Sequence, residues 1–196
     1  MSARPIFTGL SQLPPSARDS LARGEEPLAW DTVALWGEDR IGRSAPPKAI
    51  EGFDLNPISA VLSGPVVLDP GLFERWVCGV ALTGHTGSVA ASLGRALRPL
   101  GEARLAVTTE RLIVYEEGDL ITSKDLVSGR RLAHREATEV WSIARSAVLD
   151  ATRRSRPFMT GRLIIRFTDF SSAALMCGIF SPRGAHRLRD ALRAGE

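Results

Sequence analysis

Cysteine is scarce in this chain, and the two that occur, Cys78 and Cys177, stand far apart inside apolar runs. A disulfide framework is therefore excluded, and both read as small buried hydrophobes in a reducing compartment. Histidine occurs three times, at His85, His134 and His186, none near another or near a cysteine at ligand spacing, so no metal site is expected. Lysine contributes only Lys48 and Lys124 to the 25 basic residues, and no dense basic stripe runs along any segment, which argues against a nucleic-acid surface. No run approaches the ~20 predominantly apolar residues of a membrane span. The least polar stretch, Val77 to Leu93, is broken by glycines, a histidine and hydroxyls. Met1 to Leu10 carries Arg4, Pro5 and Gly9 where a secretory leader would be continuously apolar, so the expected location is the cytoplasm, with the membrane periphery as a second possibility.

Chemistry-bearing motifs are missing too. Gly84-His85-Thr86-Gly87-Ser88 lacks the lysine and spacing of a phosphate-binding loop and reads as a turn followed by a helix cap. Gly-x-Ser-x-Gly does not occur, and no pair of carboxylates stands out for acid–base work; Asp150 and Asp169 fall where hairpin chemistry explains them. The expectation is a protein with no catalytic residues, no metal and no cofactor, and not an enzyme.

What is present is a chain of 196 residues, 44% apolar, enough for one domain with an appendage. The net charge of +3 is uneven: residues 1–100 hold 9 basic and 10 acidic side chains, residues 101–196 hold 16 and 12. The basic excess belongs to the second half, where it suits an anionic partner without demanding one.

Residues 1–66 form a proline-rich arm, punctuated by Pro14-Pro15, Pro46-Pro47, Pro57 and Pro65. Within it Ser16 to Arg23 is helix-compatible, and a first strand is expected near 28–36, where Trp30 and Trp36 carry too much apolar surface to be left in water. Residues 67–101 read as a helical pair or insertion. Asp69-Pro70 starts one helix, with Leu72, Phe73, Trp76, Val77 and Val80 at helical spacing. Ser88 caps a second, with Val89, Leu93, Ala96 and Leu97 on one face and Pro99 at its end.

From residue 102 to 196 the period becomes alternating. Ala103 to Thr108 and Arg111 to Glu116 form a hairpin across Thr109-Glu110. A polar, exposed stretch with Gly118 and Gly129 separates them from strands at Glu139 to Arg145 and Ala147 to Thr152. A further pair, Arg162 to Phe167 and Ser172 to Ile179, joins across Thr168-Asp169-Phe170-Ser171, with Leu163, Ile165 and Phe167 on the core face. Ser181-Pro182 announces a closing helix with Ala185, Leu188, Ala191 and Leu192 inward and Arg183, Arg187, Arg189 and Arg193 outward.

The run Leu105 to Tyr115, with Thr108 and Arg111-Leu112 at its centre, resembles the hairpin of bacterial PH-like and GRAM-like domains. Leu21 to Ala29, with Gly24-Glu25, is similar to the segment that often precedes it there. Trp141 to Val148 and Phe167-Thr168-Asp169-Phe170-Ser171 are similar to a later strand pair and turn, although Phe170 stands where those families carry glycine. The resemblance implies a mainly β (α+β) fold: a PH-like antiparallel barrel, or orthogonal sheets, capped by the C-terminal helix.

Arg153, Arg154 and Arg156, with Arg162 just beyond, are the candidate anion ligands, since each guanidinium offers a planar fork of donors. Phe158 is the candidate membrane contact. A solvated loop is the plainer reading, because PH-like domains that bind phosphoinositides usually do so between their first two strands. Trp76, Phe73 and Trp141 read as core. The expected function is a non-catalytic PH-like module for protein–protein interaction or scaffolding; the alternative is peripheral binding of anionic lipid headgroups through the arginine-rich loop.

Overall fold

The computed structural model describes residues 13–42, 78–124, 131–156, 159–178 and 181–194. Helix α1 (Pro15–Asp19) precedes β1 (Pro27–Ala34) and β2 (Glu38–Ile41), and β3 (Val80–Gly84) precedes α2 (Val89–Leu97). The run β4 (Glu102–Thr108), β5 (Arg111–Lys124), β6 (Arg131–Ala144), β7 (Val148–Arg153), β8 (Arg162–Phe167) and β9 (Ser172–Met176) follows, and α3 (Arg183–Arg193) ends the order.

Strands β1, β4, β5 and β6 pair antiparallel in that order, and β7, β8 and β9 form a second antiparallel set. The two meet where Ala34, the last residue of β1, pairs with Met176 of β9. Strand β9 also holds β3 through Leu82 and Thr83, and β2 lies parallel to β3. The fold is mainly β, with a mixed sheet and a C-terminal helix.

Two expectations are corrected. The sheet is open and not a closed barrel, because the 3-10 turn Arg145–Ala147 turns the chain so that β6 and β7 do not pair among the described residues. It is not wholly antiparallel either: the long connection between β2 and β3 permits a parallel pair, which a tight hairpin cannot. The inserted region departs from a helical pair as well. Val80 lies in β3, not on a helix, while Asp69 to Val77 fall outside the described residues.

The main core interleaves Leu105, Val107, Leu112 and Val114 with Leu163, Ile165, Phe167 and Leu175, and seats Leu93 and Leu97 of α2 and Leu188 and Leu192 of α3 between them. On the other face of β4 and β5, Leu13 and Ala17 cover Trp30, Ala106, Ile113 and Tyr115. The Trp30 and Tyr115 rings lie 5.6 Å apart and tilted. Burial on both faces explains the unbroken apolar runs Leu105-Ala106-Val107 and Leu112 to Tyr115. Trp36, expected in the core, is instead 40% exposed, just past the end of β1. The stretch around Gly118, expected to be exposed and irregular, belongs to a 14-residue strand, with a register shift between Glu117 and Leu120 absorbing the irregularity.

Two carboxylates fasten distant segments. Glu25 accepts from Thr108 Oγ1 at 2.6 Å, from Arg111 Nη2 at 2.9 Å and from the Ala22 N–H at 2.9 Å. Burial pushes its carboxyl up, but these donors together outweigh that and hold it below the ordinary 4.5. Asp169, in the β8–β9 turn, accepts the Val89 N–H at 2.7 Å, and Ser171 Oγ takes the Ala90 N–H at 3.1 Å, so that turn caps α2 together with Ser88. Burial raises Asp169 too, and its Ser171 and Val89 bonds bring it below the ordinary 3.8.

Because both folded carboxyls sit below their ordinary values, protonation favours the unfolded chain. Their stabilisation is complete above about pH 5 and is lost as the pH falls through the folded values. Urea midpoints measured from about pH 6 down to pH 2 should fall steadily, and a Glu25→Gln, Asp169→Asn double variant should start lower and fall less. A second expectation concerns Gly161, where an added Cβ would collide with the Gly178 carbonyl oxygen and lie 2.7 Å from that of Ser181. Gly161→Ala should cost about 2–3 kcal/mol in urea denaturation, since backbone cannot move aside.

Candidate functional site

Strands β7 and β8 bring three of the four candidate arginines to one place and leave the fourth out. Arg162 begins β8 on the face opposite Leu163. It is only 6% exposed, covered where the chain at Gly79-Val80 crosses the Cys78, Met159 and Met176 cluster. Its Nη2 donates to the Val80 carbonyl oxygen at 2.7 Å. Expected to open a strand on its partly wet face, just beyond the arginine-rich loop, Arg162 is instead buried, because a segment distant in sequence packs over it. Burial first, then the charges of Arg156 and Arg154, pull its guanidinium down to about 10, and it remains a cation at neutral pH.

Arg156 packs against Gly79: a Cβ built there would meet its Cζ at 2.6 Å and its Nε and Nη2 at 2.8 Å. Gly79, at φ +69, keeps that space open and adopts a backbone that other residues rarely take. Arg154 is exposed, and its N–H bonds the Arg162 carbonyl at 3.1 Å. Arg153 pairs across the ladder with Leu163, so it shares the Leu163 face and points away from the cluster. Phe158 lies outside the described residues.

A second feature was not legible in the sequence. Among the described residues β7 pairs with β8 alone, so its other edge is open. The ladder shifts register between Val148 and Asp150, leaving Leu149 as the extra residue of a bulge, 53% exposed. Beside it runs a groove of about 420 Å3 between β7, the Thr109-Glu110 turn, Arg145 and the end of α3 at Leu192 and Arg193. Arg193 reaches Asp150 at 3.3 Å across it. Arg145 is anchored by its Nη2, which donates to the Ala191 and Leu192 carbonyls at 2.5 and 3.2 Å, where the negative end of α3 favours a cation.

Other polar groups are structural. Asp31 on β1 ion-pairs with Arg187 on α3, and burial followed by that carboxylate pushes the Cys177 thiol up to about 12, which keeps it protonated and inert. Trp141 is half-buried against the main core and donates its Nε1 proton to Ser92 at 3.0 Å. Phe170 sits at the β8–β9 turn with φ +61 and 90% of its surface exposed, in the backbone conformation a glycine would fill. No helix of the described residues is long and apolar enough to cross a membrane, and no three His, Cys, Asp or Glu side chains among them gather to hold a metal ion.

With this geometry in hand, comparison with known proteins adds no family: no protein-family model matches the chain, and no curated protein matches its sequence.

Among the described residues no carboxylate meets Arg162, and the positive charge of Arg154 beside it should oppose folding slightly. Arg154→Gln is expected to raise stability by up to about 0.5 kcal/mol in low salt, an advantage that shrinks as salt screens the repulsion. Thermal melts at two ionic strengths check it.

Proposed function

We propose that this chain is a non-catalytic PH-like binding module whose partner is another protein, and that an extended segment of the partner docks as an added strand along β7. The PH-like part of the reading draws on element order: a four-strand antiparallel set, a three-strand set and a terminal helix packed against β1 and β7. It also draws on the way two sequence strings that carry the resemblance meet in space. Thr108 and Arg111 of the hairpin both bond Glu25 of the preceding segment, so the strings are two halves of one fastening.

The observation that carries the docking site is Leu149. An edge strand presents unpaired backbone N–H and C=O groups, which proteins usually cover or interrupt. Here the bulge turns a leucine outward on that edge, beside a groove walled by α3. An incoming strand would pair with the backbone beyond the bulge, along Asp150 to Arg153, and bury one apolar side chain against Leu149 and Leu192. Main-chain bonds supply affinity in such docking, and pockets for alternate side chains supply selectivity.

Peptides selected on the full chain from a random display library should protect the amides of 150–153 from hydrogen exchange. Leu149→Glu should weaken them about tenfold or more, given the roughly 1.5–3 kcal/mol that burying a leucine contributes. Equal binding by that variant, or protection confined to another surface, would sink the proposal.

A further inference from the structure

Several partly buried arginines of this molecule are answered by a carboxylate. Arg111 meets Glu25 at 2.9 Å, Arg104 meets Glu117 at 2.7 Å, and Arg187 meets Asp31. Arg145 differs, because it bonds only backbone. Its N–H donates to the Glu110 carbonyl at 2.7 Å, and its Nη2 donates to the Ala191 and Leu192 carbonyls at the end of α3. No carboxylate meets it among the described residues, and burial alone pushes its guanidinium below the ordinary arginine range. The donors on its Nε and Nη1 have no partner among the described residues, and both nitrogens stay open to solvent.

The helix end answers this cation only in part. The carbonyls of a helix C-terminus carry about half an elementary negative charge, so about half of the guanidinium's charge is left over. Arg145 lines the groove of about 420 Å3 that also holds Leu149. Three other charged side chains line it. Arg193 and Asp150 pair with each other at 3.3 Å. Glu110 stands on the exposed turn after Thr109, where water screens it and leaves its charge worth little. Arg145 is half-buried and held at both its backbone and its tip before a partner arrives, so little side-chain entropy is lost on binding. Arg162 also lacks a carboxylate among the described residues, but at 6% exposed it is out of a partner's reach.

We infer that the segment docking along β7 carries a carboxylate that meets Arg145, so that the groove selects an acidic extended segment. This rests on the docking reading given above and adds the partner's chemistry to it. Main-chain pairing along β7 is indifferent to sequence, and discrimination has to come from the side chains beside it. Leu149 rewards an apolar residue. Arg145 rewards a negative charge, and a basic segment set against it would lose affinity through like-charge repulsion. A phosphate dianion is a poorer match, since Glu110 and Asp150 line the same groove and Arg193 is already paired. The carboxylate belongs to an Asp or Glu side chain or to the segment's own C-terminus, and both present the same group to the guanidinium.

The test uses the full chain and short random peptides displayed with free C-termini. Binders that protect the amides of 150–153 from hydrogen exchange are resynthesised as selected, with their Asp and Glu changed to Asn and Gln, and with the C-terminus amidated. Calorimetry should show one of the altered forms bound about tenfold more weakly, the loss of one charge-assisted contact. Weakening by the side-chain change identifies an acidic residue, and weakening by amidation identifies the chain terminus. On Arg145→Gln the selected and the weakened forms should bind alike, while Arg193→Gln should leave the tenfold difference in place. Arg193 is 49% exposed, so its variant stays folded and carries the comparison even where loss of the α3 contact unfolds Arg145→Gln. Equal binding of all forms by the unaltered chain overturns the inference and leaves the docking reading standing, provided the same amides are protected. A difference that survives on Arg145→Gln, or that Arg193→Gln abolishes, also overturns it. If no peptide protects those amides, both readings fall.

Discussion

Strand β1 bonds to β4 along its length and to β9 through its last residue, so a single strand carries both halves of the sheet. It is contributed from far upstream: residues 35–101 intervene before β4 begins. Closing a loop of that size costs little more than closing a shorter one, because the entropy rises only with the logarithm of length, about 0.6 kcal/mol per doubling. What the fold needs is that the ends be fixed in register. Glu25 supplies this at one end through Thr108 and Arg111, and Asp31 at the other through Arg187 on α3. The inserted residues are then usable as structure: β3 extends the sheet from β9, and α2 fills the core against Trp141.

That economy leaves few surfaces uncommitted. Helix α1 covers the outer face of β4 and β5, and α2 and α3 occupy the inner one. The remaining features lie at margins, where the sheet does not close and where β8 passes under the segment at Gly79. At the first margin β7 pairs with β8 alone among the described residues; at the second the buried Arg162 side chain donates to the Val80 carbonyl.

Legibility in the sequence followed the range of the interactions involved. Period-2 alternation at Leu163, Ile165 and Phe167, and the inward stripe of the last helix, reported burial correctly because each depends on a face, which sequence spacing encodes directly. The strand continuation past Glu116 was missed because Glu116-Glu117-Gly118 breaks the alternation, and pairing with β6 overrides that local pattern. Val80 matched a helical spacing with Val77 and Trp76, but it pairs with Glu38 of β2, and non-local pairing leaves no local mark. Phe170 kept its turn where glycine was expected, bearing a backbone strain of about 1–2 kcal/mol within a hairpin otherwise well determined.

The candidate site divides in the same way. By itself the sequence determined that arginines gather around residues 153–162, that the flanking segments are strands, and that a helix follows, because composition and periodicity are properties of neighbouring residues. Only the tertiary structure decided that Arg153 turns away, that Arg162 is buried, and that Gly79 makes room for Arg156. It alone decided, too, that among the described residues β7 pairs with β8 only and turns Leu149 outward. Each of these depends on which distant segment crosses which, and the free energy of such crossings is shared between residues that the chain order keeps far apart.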